Sequence, residues 1–163
     1  MADASFLWSR SDTAKSMPVQ QVFDHVGEEL FVTEWRQVDR EHLDQFHWST
    51  DSVEEASDVM SNELFPRHDD NIDGIMVLSL VQAGFFNNYP FWSPGIVSFN
   101  YGFDRVRFPY TVYLEDELRL RVTLLEATQK ASGILMRNGV TMEVKGSDKP
   151  ALIADTISRY FPE

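Results

Sequence analysis

The segment from Ile75 to Phe86 is apolar almost all round a helical projection, and it constrains the fold more than any other part of the sequence. A helix of this kind is expected to be enclosed by other elements and not to lie on the surface. In the last third of the chain the apolar period changes from near 3.6 to 2, beginning with Leu118, Leu120, Val122 and Leu124. The combination predicts an α+β domain in which an antiparallel sheet wraps around a long central helix.

The remaining elements follow from local patterns. Asp39 stands at an N-cap position before a short amphipathic helix over residues 40–48. Ser132-Gly133 and Asn138-Gly139 supply turn residues, and the second pair is a strong hairpin signal. Strands are predicted at Glu29–Arg36, Ile96–Phe108, Val140–Lys145 and Ala151–Tyr160, although the last segment is also compatible with a helix.

A length of 163 residues fits one domain, and we expect an irregular lead-in over residues 1–20 followed by a single domain over residues 21–163. The longest apolar run is about half the ~20 residues that span a bilayer. Residues 1–12 lack the features of a secretory signal, so the cytoplasm is the expected location. The absence of Cys excludes disulfides, Fe–S clusters and thiol nucleophiles.

The formal net charge is −12, and a field of that sign repels nucleic acids and anionic membranes, so neither is an expected partner. Eight carboxylates lie between Asp51 and Asp73. Their spacing matches no known cation-binding loop, and we interpret them as a hydrated surface and predict no metal site. The sequence also lacks a serine-hydrolase elbow, a phosphate-binding loop and a dinucleotide fingerprint.

Several motifs in residues 26–155 resemble the MaoC-like acyl dehydratases and (R)-specific enoyl-CoA hydratases, particularly their NodN-like branch. They are Asp73-Gly74 followed by the apolar helix with Leu78-Ser79-Leu80, then Phe99-Asn100-Tyr101-Gly102, Val106-Arg107-Phe108 and the segment GSDKPALIA at residues 146–154. The resemblance implies a hot-dog fold, a dimer or higher homo-oligomer, and reversible hydration of enoyl thioesters without a dissociable cofactor.

In that family an Asp and a His five residues apart hold the water that adds to the substrate. Counting from Phe46 places these two positions at Ser52 and Ser57, whereas anchoring on Asp51 places the His at Ala56. The usual Asp–His pair is therefore missing. The resemblance further implies that the amide of Gly74, at the start of the central helix, polarises the thioester carbonyl. Alternatively, this glycine is required where the backbone passes close to a neighbour.

Three residues are candidates for the missing acid or base: Asp51, His68 and Asp73. His68 is the histidine near the acidic loop, but neighbouring carboxylates favour its imidazolium, and it is also explained as a solvated loop residue. Asp51 is the carboxylate nearest to the family's Asp. Asp73 lies nearest to the helix N-terminus, where an ordinary N-cap is the favoured interpretation.

The resemblance makes Asn100, Tyr101, Gly102 and Arg107 candidates for substrate binding. Phe85 and Phe86 are candidates for an acyl tunnel, with core or interface packing as the alternative. Arg119 and Arg121 could meet the phosphates of a carrier, but pairing with Glu115, Glu117 or Glu143 explains them as well.

These observations favour a hydro-lyase acting on enoyl-CoA, 3-hydroxyacyl-CoA or the equivalent acyl-carrier thioesters. Two alternatives stay open because the Asp–His pair is missing. One is a hot-dog acyl-CoA thioesterase, and the other is a catalytically inactive subunit that binds acyl groups or pairs with an active partner.

Overall fold

The computed structural model describes residues 16–52 and 70–161. Within these two ranges, a short 3-10 helix over Val19–His25 precedes two α-helices and seven strands. In chain order these are β1 (Glu29–Val32), α1 (Arg40–Ser49), β2 (Asn71–Ile72), α2 (Gly74–Asn88), β3 (Val97–Arg107), β4 (Val112–Tyr113), β5 (Leu118–Lys130), β6 (Gly133–Val144) and β7 (Leu152–Phe161). None of the described helices has the length and apolar character needed to cross a membrane.

In the described part of the chain the main sheet contains five strands in the order β1-β5-β6-β7-β3, and every neighbouring pair is antiparallel. The two-residue alternation of β5 and β6 gives the sheet one buried face, as predicted. The segment after Ala151, for which strand and helix were both possible, is the strand β7. β2 and β4 form a separate small ribbon beside α2.

Helix α2 packs against the buried face of the main sheet. Met76, Val77 and Val81 belong to the same core cluster as Leu120 and Leu152. Gly84 permits this packing, because a Cβ at that position would overlap the side chain of Leu120. The contact fixes the direction of α2 across the sheet and thereby the position of its N-terminus.

The helix is not enclosed on all sides within this chain. α2 has 15 residues, and the side chains of Ile75 and Phe86 on its outer side are 62% and 80% exposed. The prediction of a helix covered all round is therefore wrong for the single chain. Apolar periodicity identifies the helix, but it does not distinguish burial within one chain from a face left open.

The hairpin predicted at Asn138-Gly139 is also wrong. These residues lie in the middle of β6, where Asn138 pairs with Thr156 of β7 and is fully buried. The β5–β6 turn is instead at residues 131–132, immediately before Gly133, as the first turn signal predicts. A register shift in β5 between Leu124 and Glu126 places Leu125 over Gly139, so this glycine accommodates a close side chain.

The N-terminal part of the described chain packs against the end of the main sheet that contains the β5–β6 turn. Val19 and Val22 are buried in a second cluster with Phe91, Leu124 and Met136. Met17 forms an isolated bridge with Phe91. The lead-in predicted for residues 1–20 lies mainly outside the described residues.

Candidate functional site

The candidate site lies where the end of α1 meets the beginning of α2. Helix α1 begins as predicted, because the Asp39 carboxylate accepts a hydrogen bond of 2.8 Å from the backbone N–H of His42. This hydrogen bond, the largest influence, lowers the pKa of Asp39. Buried Leu43 anchors the helix to the core. The register of α1 then places His47 in its last turn.

The ribbon of β2 and β4 brings the start of α2 next to that turn. Ile72 of β2 pairs with Val112 of β4 and is buried. Asp73 follows directly, and its Oδ2 lies 3.0 Å from His47 Nε2. An ion pair between Arg40 and Asp70 joins the same two segments closer to the beginning of α1.

Asp73 does not cap α2 with its side chain, because its carboxylate forms no capping hydrogen bond to a helix N–H. The carboxylate contacts the imidazole instead. The side chains of His47 and Asp73 are 22% and 49% exposed, so solvent reaches both. An ionised carboxylate can only accept a hydrogen bond, so when the imidazole is neutral Nε2 of His47 carries the hydrogen and Nδ1 holds the free lone pair.

Gly74 is the first residue of α2, next to the His47–Asp73 pair. The first intrahelical hydrogen bond runs from Val77 N to Asp73 O, which leaves the amides of residues 74–76 without partners inside the helix. A helix N-terminus of this kind favours negative charge. Phe108 also packs on Gly74, and a Cβ there would lie 2.9 Å from its ring, so the glycine has a steric reason as well.

Of the other two candidate acids and bases, the structure describes Asp51 but not His68. Asp51 is exposed in the turn after α1, with a positive φ of 55°. Ser52, one of the positions expected for the family's Asp, accepts a hydrogen bond of 3.0 Å from the Thr50 hydroxyl. His68, Ala56 and Ser57 lie outside the described residues.

The candidate substrate-binding residues divide into two groups. Phe85, Phe86 and Asn100 line a cavity of about 510 Å³ at the C-terminal end of α2. Tyr101 and Gly102 lie outside its lining, at a register shift in β3, and Tyr101 is 65% exposed.

The arginines also separate. Arg107 is exposed, donates to its neighbour's carbonyl through Nη1 and sits beside Phe108, which covers Gly74. Arg119 and Arg121 both donate to the carboxylate of Glu143, as one interpretation predicts. Burial alone would raise the pKa of Glu143, but these two hydrogen bonds outweigh it and hold that pKa below its ordinary value.

Sequence reasoning missed His47. The residue lies inside the predicted helix over residues 40–48, but its contact is with Asp73, a residue 26 positions away. One signal in the sequence could have indicated His47. It lies in the last turn of a capped helix, and its side chain is therefore near the helix end that the following core helix can approach.

An antiparallel sheet packed on one helix is the arrangement of a hot-dog domain. A MaoC-like dehydratase from Rhodospirillum rubrum has this fold, with a TM-score of 0.63 and 14% identity over 85% of this chain and 93% of that chain. The sequence matches none of the protein-family models.

Two curated relatives define the family more narrowly. Nodulation protein N of Rhizobium leguminosarum bv. viciae is 30% identical over 155 residues, which cover 90% of this chain and 94% of that protein. The 3-hydroxyacyl-thioester dehydratase Z of Mycobacterium tuberculosis is 35% identical over 65 residues, which cover 39% of this chain and 43% of that protein. The chain belongs to the MaoC-like hot-dog family, in its NodN-like branch.

Proposed function

We propose that this protein is a hydro-lyase that adds water to an enoyl thioester or removes it from a 3-hydroxyacyl thioester. The observation that carries the proposal is the contact of 3.0 Å between His47 Nε2 and Asp73 Oδ2, beside the first residue of α2. This contact brings together an imidazole and a carboxylate, and the family uses an Asp and a His. His47 and Asp73 are 26 positions apart in the sequence, whereas the family's pair is five residues apart. Family membership and the relative named as a thioester dehydratase support the substrate class.

The start of α2 is suited to hold the thioester carbonyl. The amide of Gly74 and the positive end of the helix dipole stabilise the negative charge that develops on the oxygen when water attacks the β-carbon. This role requires the backbone N–H and not a side chain. It is compatible with the packing of Phe108 on Gly74.

His47 is the proposed acid and base. Asp73 holds the Nε2 hydrogen, which leaves the Nδ1 lone pair to accept a proton from water as its oxygen bonds to the β-carbon. The resulting imidazolium is stabilised by the Asp73 carboxylate and returns a proton to the α-carbon of the enolate. Dehydration follows the same steps in reverse, and neither direction requires an added cofactor.

The experiment follows two signals from the same incubation of purified protein with short and medium trans-2-enoyl-CoA esters. Loss of the conjugated double bond without release of free thiol is the expected result. Release of thiol would instead identify a thioesterase. If neither signal changes with any ester, the proposed hydro-lyase activity is wrong.

A second function has one specific observation in its favour. The positions expected for the family's Asp–His pair hold Ser52 with Ser57, or Asp51 with Ala56. A subunit that binds acyl groups and relies on an active partner would not need that pair. Such a subunit would bind an acyl thioester without changing it, which the two signals distinguish from hydration and from hydrolysis.

We extend the proposal to a cytoplasmic homodimer. β3 is an edge strand of the main sheet, and its residues Val97, Phe99 and Tyr101 are exposed. An apolar edge of this kind favours association with another strand. A second copy of the chain would also cover the exposed apolar side chains of α2.

A further inference from the structure

The described chain begins at the cavity that lies at the C-terminal end of α2. This cavity of about 510 Å³ is bounded by α2, β3 and β7, and Ser16, the first residue that the structure describes, is part of its lining. Met17 fixes the chain there, because its backbone N–H donates to the Pro90 carbonyl at 2.7 Å and its carbonyl accepts from the Trp92 N–H at 2.9 Å. The connection to the residues before Ser16 is therefore anchored at the cavity.

The direction of the backbone at this point is also defined. Met17 forms a parallel bridge with Phe91. Because two parallel segments run in the same direction, the chain enters Met17 from the side on which the end of α2 leads to Phe91. The last turns of α2 on that side line the cavity with Phe85, Phe86 and Asn87. The backbone at Ser16 is therefore aligned with the cavity and not directed away from it.

The cavity exposes a group of aromatic side chains and contains no charge. Phe86, Trp92 and Phe99 line it and are 80%, 59% and 58% exposed. No lining residue among those the structure describes carries a charged side chain. Exposed apolar surface grouped in this way marks a binding surface, and a charged group would lose its hydration here without gaining an ionic partner. The expected occupant is therefore apolar and uncharged.

The sequence before Ser16 contains a segment of that character, although it lies outside the described residues. Phe6, Leu7 and Trp8 are three consecutive large apolar residues, and the seven residues that follow them, SRSDTAK, are polar apart from one alanine. Seven extended residues span about 25 Å, which exceeds the length of about 22 Å of the 15-residue helix α2. The connection is therefore long enough for the apolar segment to reach the cavity.

We propose that Phe6, Leu7 and Trp8 of the same chain bind in this cavity. The point at which the described chain begins, the length of the connection and the match between an uncharged apolar segment and an uncharged aromatic cavity all favour this occupant. Ser98 and Asn100 also line the cavity and are exposed, so they can serve as partners for backbone groups of the segment or for the Trp8 indole N–H. The inference does not depend on the proposed hydro-lyase activity. It is compatible with a homodimer that pairs along the edge of β3.

The test is crosslinking within the full chain, which has no cysteine of its own. Ser9→Cys is combined either with Ser98→Cys, in the cavity lining, or with Gln20→Cys, at an exposed position outside it. Each protein is treated with a short bis-maleimide at low concentration, and mass spectrometry identifies the crosslinks. Gln20 is much closer to Ser9 along the chain, so a segment without a binding site would react at least as fast there. We expect the opposite order, with the Ser98 pair about tenfold faster.

The apolar side chains should be required for the faster reaction. The combination of Phe6→Ser, Leu7→Ser and Trp8→Ser should abolish it, whereas Ser11→Ala with Thr13→Ala, the matched control in the same segment, should leave it unchanged. Thermal unfolding of every variant checks that the fold is intact. A pair at position 98 that reacts no faster than the pair at position 20, or a fast reaction that survives the three serine substitutions, would overturn the inference. Crosslinks from position 9 of one chain to position 98 of another would overturn it too, because the occupant would then be a second copy.

Binding of a neutral fluorescent probe gives an independent measurement. N-phenyl-1-naphthylamine is apolar and uncharged, so it should bind in the cavity once the segment no longer fills it. We expect its affinity to rise about tenfold in the variant with the three serine substitutions and to stay unchanged in the Ser11→Ala, Thr13→Ala control. Equal affinity in the unaltered protein and the variant with the three serine substitutions would contradict the proposal.

Discussion

His47 Nε2 and Asp73 Oδ2 are 3.0 Å apart, and this contact joins the last turn of α1 to the residue that precedes α2. The Asp73 carboxylate contacts an imidazole on another helix, whereas the Asp39 carboxylate at the start of α1 contacts the backbone N–H and the imidazole of His42 on its own helix. The two aspartates occupy the same position relative to a helix and have different partners. Because of that difference, we expect Asp39→Ala to affect mainly the stability of the fold and Asp73→Ala to affect mainly the activity.

Asp39→Ala should destabilise the fold by about 1 kcal/mol, the usual cost of removing an N-cap. Asp73→Ala should cost less, because no capping hydrogen bond is lost. For hydration of enoyl-CoA the order reverses: Asp73→Ala should lower kcat by about tenfold or more, while Asp39→Ala leaves it within about twofold. Urea unfolding and steady-state kinetics on both variants check the pair. Equal losses of stability would show that Asp73 is simply a cap.

The Asp39 cap should also depend on pH. The pKa of Asp39 is lower in the folded protein than in the unfolded chain, chiefly because its carboxylate accepts from the His42 amide. The added stability is therefore present above the unfolded value, near 3.9, and is lost as the pH falls through the folded value. Asp39→Asn caps well but does not titrate. The stability advantage of the native Asp39 over Asn should shrink between pH 7 and pH 3 in urea titrations, and an advantage that stays constant would contradict this origin.

Gly74→Ala should destabilise the protein by about 1 kcal/mol or more, because the added Cβ would meet the Phe108 ring at 2.9 Å. Phe108→Ala removes that ring. In a double-mutant cycle measured by urea unfolding, Gly74→Ala should cost much less in the Phe108→Ala background than alone. Additive losses would mean that the ring does not explain the glycine.

Phe99→Asp should weaken self-association, because Phe99 is 58% exposed on the edge strand β3. Trp48→Asp is a control of similar character on α1, where the tryptophan is 79% exposed. Sedimentation velocity should show a smaller species for the first variant only. A monomeric parent protein, or equal effects of both changes, would contradict the proposed homodimer.

The sequence predicted the parts of the fold that are determined by residues close together in the chain. The Asp39 cap, the alternating faces of β5 and β6, and the position of α2 all follow from residues a few positions apart. The exposure of Ile75 and Phe86 did not follow, because periodicity records an apolar surface and not what covers it. Asn138-Gly139 was misassigned to a turn because the register shift in β5 and the contact with Leu125 are tertiary features.

The site shows the same division. The family resemblance placed Asp73 and Gly74 at the start of the central helix, now α2, and left more than one role open for each residue. It could not locate His47, since pairing with Asp73 depends on the β2–β4 ribbon returning the chain to the end of α1. The buried pair Asn138 and Thr156 was equally out of reach, because these two residues become neighbours only through the register of β6 and β7.

The most direct test of the central claim is the rate of hydration of a trans-2-enoyl-CoA by His47→Gln, measured beside His42→Gln. Both histidines lie on α1 and contact an aspartate, but only His47 contacts the residue before Gly74. We predict a loss in kcat of about 100-fold or more for His47→Gln, the range of general acid–base catalysis, and a change within about twofold for His42→Gln. Unchanged hydration by His47→Gln, in a protein that unfolds at the same temperature as its parent, would contradict the account.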